Sequence, residues 1–176
     1  MQYLFFICNN IELTLTNMKK LVLICIITLS SSLFAQHQMP SVLLKNLKGE
    51  SINSNLDFQK KDVLYVFSFW ATWCAPCVQE LDAISDVYGD WKSKINIEII
   101  AVSVDDARTE KRVKPLVNGK GWEYTVLLDT NQELKRSLSI ANIPYVVVVK
   151  NKEIVYIQNG HSPGGEIELF EKLKSL

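Results

Sequence analysis

The chain has 176 residues, with 19 Lys and Arg against 19 Asp and Glu, for a formal net charge of zero. Hydrophobic residues make up 48% of it, enough for a sizeable core. The even charge balance lacks the basic stripe of a nucleic-acid binder, and neither an internal repeat nor a low-complexity linker divides the sequence.

Residues 1–35 read as a signal segment, with the true start expected at Met18. Met18-Lys19-Lys20 is a short basic opening, Leu21 to Leu33 an apolar and hydroxyl-rich run, and Phe34-Ala35-Gln36 a plausible cleavage site after Ala35. The apolar run is short for a spanning helix, which needs about 20 residues. An uncleaved anchor is the alternative. Either way the protein is expected to be exported, to a periplasm or cell envelope, and residues 36–176 form a single folded domain. Cys8 and Cys25 fall in the leader, so only Cys74 and Cys77 remain.

Val42-Leu43-Leu44, a turn at Lys48-Gly49-Glu50 and Ser51-Ile52-Asn53 predict an opening hairpin. Val63 to Phe69 is short, apolar and aromatic, as a buried strand is. A helix follows from Cys74 to Trp91, with Leu81, Ile84, Tyr88 and Trp91 at helical spacing. Ile97 to Val104 predicts a strand covered on both faces. Asp105 or Asp106 suits a helix cap, with a polar helix over Ala107 to Asn118 ended by Gly119 and Gly121. Next come a strand at Tyr124–Leu128, a short helix over Asn131–Leu138 and a Val-rich strand at Tyr145–Val149. A tight turn at Asn151-Lys152 leads to a return strand at Ile154–Ile157. The last helix, after Gly164-Gly165, should bury Ile167, Phe170 and Leu173. Alternating strands and helices imply an α/β fold, with antiparallel edges from the two hairpins.

The chemistry concentrates in Phe69-Trp70-Ala71-Thr72-Trp73-Cys74-Ala75-Pro76-Cys77-Val78-Gln79-Glu80. Two thiols with two residues between them can close and reopen a disulfide. They lie on a strand-to-helix turn, where the free backbone N–H groups of the helix start favour a thiolate at Cys74. Pro76 is tolerated in a first helical turn. An exported chain with one close pair has no disulfide scaffold, so this pair reads as reactive. Glu80, one turn beyond Cys77, is either a carboxylate facing the thiols or a solvated helix residue. Trp70 reads as core, Trp73 as a half-exposed platform beside Cys74, and Trp91 and Trp122 as packing residues. His37 and His161 show no spacing that would join the cysteines in a four-ligand metal site, and no metal is expected.

The strand-turn-helix motif resembles the thioredoxin superfamily, and its Phe-Trp-Ala-Thr-Trp-Cys-x-Pro-Cys form resembles the TlpA/ResA group of thiol–disulfide oxidoreductases. The resemblance covers residues 40 to 176 and implies a thioredoxin fold with an N-terminal β-hairpin and a central strand–helix insertion. It implies that Cys74 attacks and Cys77 resolves, that no cofactor is needed beyond this disulfide, and that Glu80 tunes the thiols. It also implies that Ile143-Pro144 is cis and faces the cysteines, so that Trp73, Ile143, Pro144 and Tyr145 contact substrate. The partners implied are protein thiols or disulfides and a membrane electron donor, with the protein acting as a reductase, for example in cytochrome c maturation. The chain departs from the group in three places. Tyr145 follows the proline where a small residue is usual. Ser68 stands where many thioredoxins carry a buried Asp and the group often an Asn, leaving the proton of Cys77 to water or another carboxylate. Asp82 replaces a helix-kinking proline. A peroxiredoxin-like peroxidase and a thioredoxin-fold copper chaperone are the rival readings.

Overall fold

The computed structural model describes residues 38–176. The leader reading, its start at Met18 and His37 lie outside the described residues. Among those described, no helix is long and apolar enough to cross a membrane.

A seven-stranded mixed sheet forms the centre. Its strands are β1 (Leu43–Asn46), β2 (Ser51–Asn53), β3 (Leu64–Trp70), β4 (Ile97–Ser103), β5 (Thr125–Leu128), β6 (Tyr145–Lys150) and β7 (Glu153–Asn159). They lie side by side in the order β2-β1-β5-β4-β3-β6-β7. β3, β4 and β5 are parallel, joined through helices α1 (Ala75–Lys94) and α2 (Val113–Lys120); β6 and β7 run antiparallel to their neighbours. The short helix α3 (Glu133–Ser137) precedes β6, and α4 (Gly165–Lys174) ends the chain. This is the expected thioredoxin fold, with its opening hairpin and its central strand–helix insertion.

β3 is buried at all seven positions because neighbours flank it on both edges and both of its faces are covered. Side chains alternate along it. Tyr65 and Phe67 point to one face, where both meet the Phe58 ring edge-on. Ser68 and Trp70 point to the other, under α1. On that face α1 packs against α4, with Trp91 stacked on Phe170 at 5.0 Å. Asn151 and Lys152 both adopt positive φ, the geometry of a two-residue hairpin turn.

Two expectations need correction. The predicted helix over Ala107–Asn118 is broken in two. The Asp106 carboxylate accepts from the backbone N–H groups of Arg108 and Thr109, closing a turn; a 3-10 turn at Glu110–Arg112 then leads into α2. A helix running from Ala107 would carry Pro115 in its interior, where its ring clashes with a carbonyl one turn earlier. Starting at Val113 puts Pro115 in the first turn instead. Gly119 lies inside α2, and Gly121 alone, at φ 69°, terminates it. In α4 the buried face is Leu169, Phe170 and Leu173, while Ile167 is exposed. Ile167 lies about 200° around the helix from Leu169, so the two cannot share the sheet side.

Trp91→Ala removes the ring that fastens α4 to α1 and should cost about 3–5 kcal/mol in urea unfolding. A loss below about 1 kcal/mol would mean that the stacked pair does not hold the two helices together.

Candidate redox site

β3 delivers the chain to the site. Beyond Trp70, the Val104 N–H donates to the Trp70 carbonyl at 2.8 Å, extending the β3–β4 ladder by one step. The next residue but one, Thr72, is tied down by Asp105, which local sequence offers only as a helix cap. Asp105, buried at the end of β4, accepts from the Thr72 N–H at 2.8 Å, the Thr72 hydroxyl at 2.6 Å and the Ser103 hydroxyl at 2.8 Å. These bonds fix the turn that carries Trp73 and Cys74. The contact spans 33 residues, so no local pattern announces it.

Cys74 is the N-cap of α1, with extended backbone, and its carbonyl accepts the first helical bond from Val78. Pro76 sits in the first turn, where no helical partner awaits its missing N–H. Cys74 and Cys77 are joined in a disulfide, their Cα atoms 5.3 Å apart. The pair is asymmetric: Cys77 is wholly buried, whereas Cys74 keeps a small exposed surface. Trp73, beside it, is 59% exposed. The Ile143-Pro144 bond is cis. Tyr145 pairs with Phe69 in register, which sets Pro144 at the same end of the sheet as the cysteine turn. Pro144 is buried, and Ile143 and Tyr145 are half-buried.

Of the two readings of Glu80, the solvated one is excluded. Its side chain is buried on the same face of α1 as Cys77, and it accepts from the Ser68 hydroxyl at 3.2 Å. Ser68, noted as a departure, thus supports a carboxylate supplied from the helix. Burial pushes the Glu80 carboxyl up to about 7, with the Ser68 hydrogen bond pulling the other way. His161, set aside in the sequence reading, faces the same carboxylate: its Nδ1 lies 3.9 Å from Glu80 Oε1. Asp82 does not interrupt α1, which runs unbroken from Ala75 to Lys94. Its carboxylate binds Lys120 at 2.6 Å and the Trp122 indole N–H at 3.0 Å, tethering the helix to the end of α2. Trp70, Trp91 and Trp122 are buried. Among the described residues no group of three His, Cys, Asp or Glu side chains is placed to hold a metal.

Fold and site together define a thioredoxin-fold protein with a disulfide-forming cysteine pair at a helix start. The AhpC/TSA family model matches residues 35–157, and the chain belongs to that family. It is 34% identical over 125 residues to the thiol–disulfide oxidoreductase ResA of Oceanobacillus iheyensis, a match covering 69% of this chain and 62% of that protein. It is 31% identical over 107 residues to ResA of Bacillus thuringiensis, covering 61% and 58%. The chain therefore spans about three fifths of the length of these relatives. Among solved structures it resembles an uncharacterized thioredoxin-like protein from Porphyromonas gingivalis. Identity there is 42%, with a TM-score of 0.70, covering 78% of this chain and 90% of that one.

The burial of Glu80 has a thermodynamic signature. Its carboxyl ionises near 4.5 in the unfolded chain and near 7 in the fold. The native state therefore binds the extra proton between those values. Stability from this group is full below the lower value and is lost as pH rises through the upper one. In the oxidised protein, wild type should lose about 2–3 kcal/mol more than Glu80→Gln between about pH 4 and pH 8. Parallel pH profiles for the two proteins in urea unfolding would mean that Glu80 is solvated.

Proposed function

We propose that the protein is an exported thiol–disulfide oxidoreductase of the TlpA/ResA kind that reduces disulfides in protein partners. The observation that carries this reading is the placement of the Cys74–Cys77 disulfide at the N-terminus of α1, with Cys77 wholly buried and Cys74 keeping a small exposed surface. In the reduced protein the helix start favours the Cys74 thiolate. That thiolate attacks a partner disulfide, one partner sulfur leaves as a thiolate, and a mixed disulfide remains. Cys77 then attacks the Cys74 sulfur, releasing the second partner thiol and leaving the disulfide seen here. Two electrons pass from the cysteine pair to the partner, so the cycle requires a donor to re-reduce the pair; we assign that role to a membrane protein. Exposed Trp73 and the half-buried Ile143 and Tyr145 on either side of Pro144 form the surface on which an extended partner segment would lie. Similarity to the ResA proteins supports the reductive direction, and apocytochrome c cysteines awaiting haem are a fitting substrate.

The rival chemistries lack supporting groups. A peroxidase of the peroxiredoxin kind needs a Thr hydroxyl and an Arg beside its cysteine. Here the Thr72 hydroxyl is spent on Asp105, Arg108 pairs with Asp106, Arg136 with the Asn131 carbonyl, and Arg112 is exposed in the 3-10 turn before α2. A copper chaperone needs further ligands grouped around the cysteines, and the described residues offer no such cluster.

Cys77→Ser removes the resolving thiol and should accumulate mixed disulfides with partner proteins, seen on non-reducing gels, through Cys74. Cys74→Ser should trap none. Trapping by Cys74→Ser in place of Cys77→Ser would reverse the roles, and trapping by neither would overturn the exchange reading.

A further inference from the structure

His161 is a buried ionisable side chain to which the exchange reading gives no task. It lies in the loop from β7 to α4, between Gly160 and Gly164, whose φ values of 83° and 81° bend the chain sharply. The loop is fastened at its start by the Gly160 N–H, which donates to the Pro144 carbonyl at 3.0 Å, and closed by the Gly165 N–H on the Ser162 carbonyl at 2.8 Å. This brings the imidazole to the Glu80 carboxylate of α1. Its side chain is 7% exposed, and Nδ1 is buried without a hydrogen-bond partner. A buried ring nitrogen left unpaired costs about 1–3 kcal/mol.

Glu80 is the group that faces it. One carboxylate oxygen, Oε2, is taken by the Ser68 hydroxyl from β3. The other, Oε1, lies 3.9 Å from His161 Nδ1, a slight approach away from a hydrogen bond. Among the described residues no Lys or Arg nitrogen comes within 4.0 Å of the Glu80 carboxylate, and no other carboxylate comes that close to His161. From α1 the neighbouring titratable group is Cys77, one turn before Glu80. From α4, Glu166 has one buried oxygen without a hydrogen-bond partner, but it does not pair with His161.

We propose that His161 is a positioning residue for the resolving step: it holds the Glu80 carboxylate beside Cys77 and shares the proton that the carboxylate accepts. The idea rests on the exchange reading above. As Cys77 attacks the Cys74 sulfur of a mixed disulfide, the Cys77 S–H bond breaks and its proton passes to the Glu80–His161 pair. The Cys77–Cys74 bond forms, the bond from Cys74 to the partner sulfur breaks, and that sulfur leaves as a thiolate that takes its own proton from water. A carboxylate alone in this core would hold its proton tightly. An imidazole 3.9 Å away can close on the carboxylate and share that proton with it.

The test is a carbon-13 titration of the Glu80 carboxyl, with the His161 ring followed in parallel, in the oxidised full chain. Groups in contact titrate as a coupled pair. In the wild type each signal should therefore carry both inflections; a single independent inflection in each overturns the proposal with no variant required. In His161→Gln the Glu80 midpoint should move, because the ring that faces the carboxylate is gone. An unchanged midpoint overturns the proposal. In the reduced protein, His161→Gln should shift the pH profile of mixed-disulfide resolution, and the same change made in a Glu80→Gln background should shift nothing. A shift that persists undiminished there shows that His161 does not act through Glu80, and overturns the assignment. The titrations need no substrate. Coupled titration in a protein that exchanges no disulfides would sink the exchange reading and the resolving role with it, leaving only the Glu80–His161 pairing; normal exchange with uncoupled titration would sink this inference alone.

Discussion

The site depends on how α1 sits on β3. One face of that helix must be buried against the sheet, and Cys77, Glu80, Leu81, Ile84, Tyr88 and Trp91 all lie on it. The aliphatic and aromatic members supply the apolar area that holds the helix down, on the order of 1.5–3 kcal/mol for each large side chain. Cys77 and Glu80 are carried into the core by the same helical period. A cysteine that accepts burial thus takes into the core, one turn on, a carboxylate that does not. The Asp105 bonds to Thr72 fix the turn from which the helix begins, where Cys74 keeps the small exposed surface that Cys77 lacks.

Two electrostatic environments follow within one helical turn. Cys74 lies at the positive end of α1, where a negative charge on sulfur is favoured. Cys77 lies one turn before the buried Glu80 carboxyl on the same helix face, where a second negative charge is disfavoured. On the proposed reading this asymmetry divides the work: one thiol ionises early and attacks, and the other keeps its proton until the mixed disulfide is in place. The Glu80 side chain is held by Ser68 from the sheet and faced by His161 from the last loop. Residues from β3, α1 and the β7–α4 connection therefore meet at one point.

Much of this was legible in the sequence. The apolar runs of β3, β4 and β6, the heptad-like face of α1 and the turn at Asn151-Lys152 are local patterns, and local patterns read directly. The cysteine pair and its helix start were legible for the same reason. Long-range pairing was not. Asp105 holds Thr72 across 33 residues, and Asp82 holds Trp122 across 40; an isolated aspartate carries no mark of its distant partner. His161 was passed over because its partner, Glu80, lies far away in sequence and is brought close only when the loop after β7 folds back. The break before α2 was readable in principle from Pro115, and the exposure of Ile167 from its angle to Leu169. Both fail when apolar and polar residues are read without the rotation of the helix.

The reduction potential of the Cys74–Cys77 couple tests the account most directly. It is measured by equilibrating the protein against graded glutathione and dithiothreitol buffers. The account predicts a reversible two-electron couple at about −200 mV or lower, towards the thioredoxin range. A potential near −120 mV, that of a strong oxidant, would contradict the reductive direction. A disulfide that stays closed in excess dithiothreitol would contradict exchange itself.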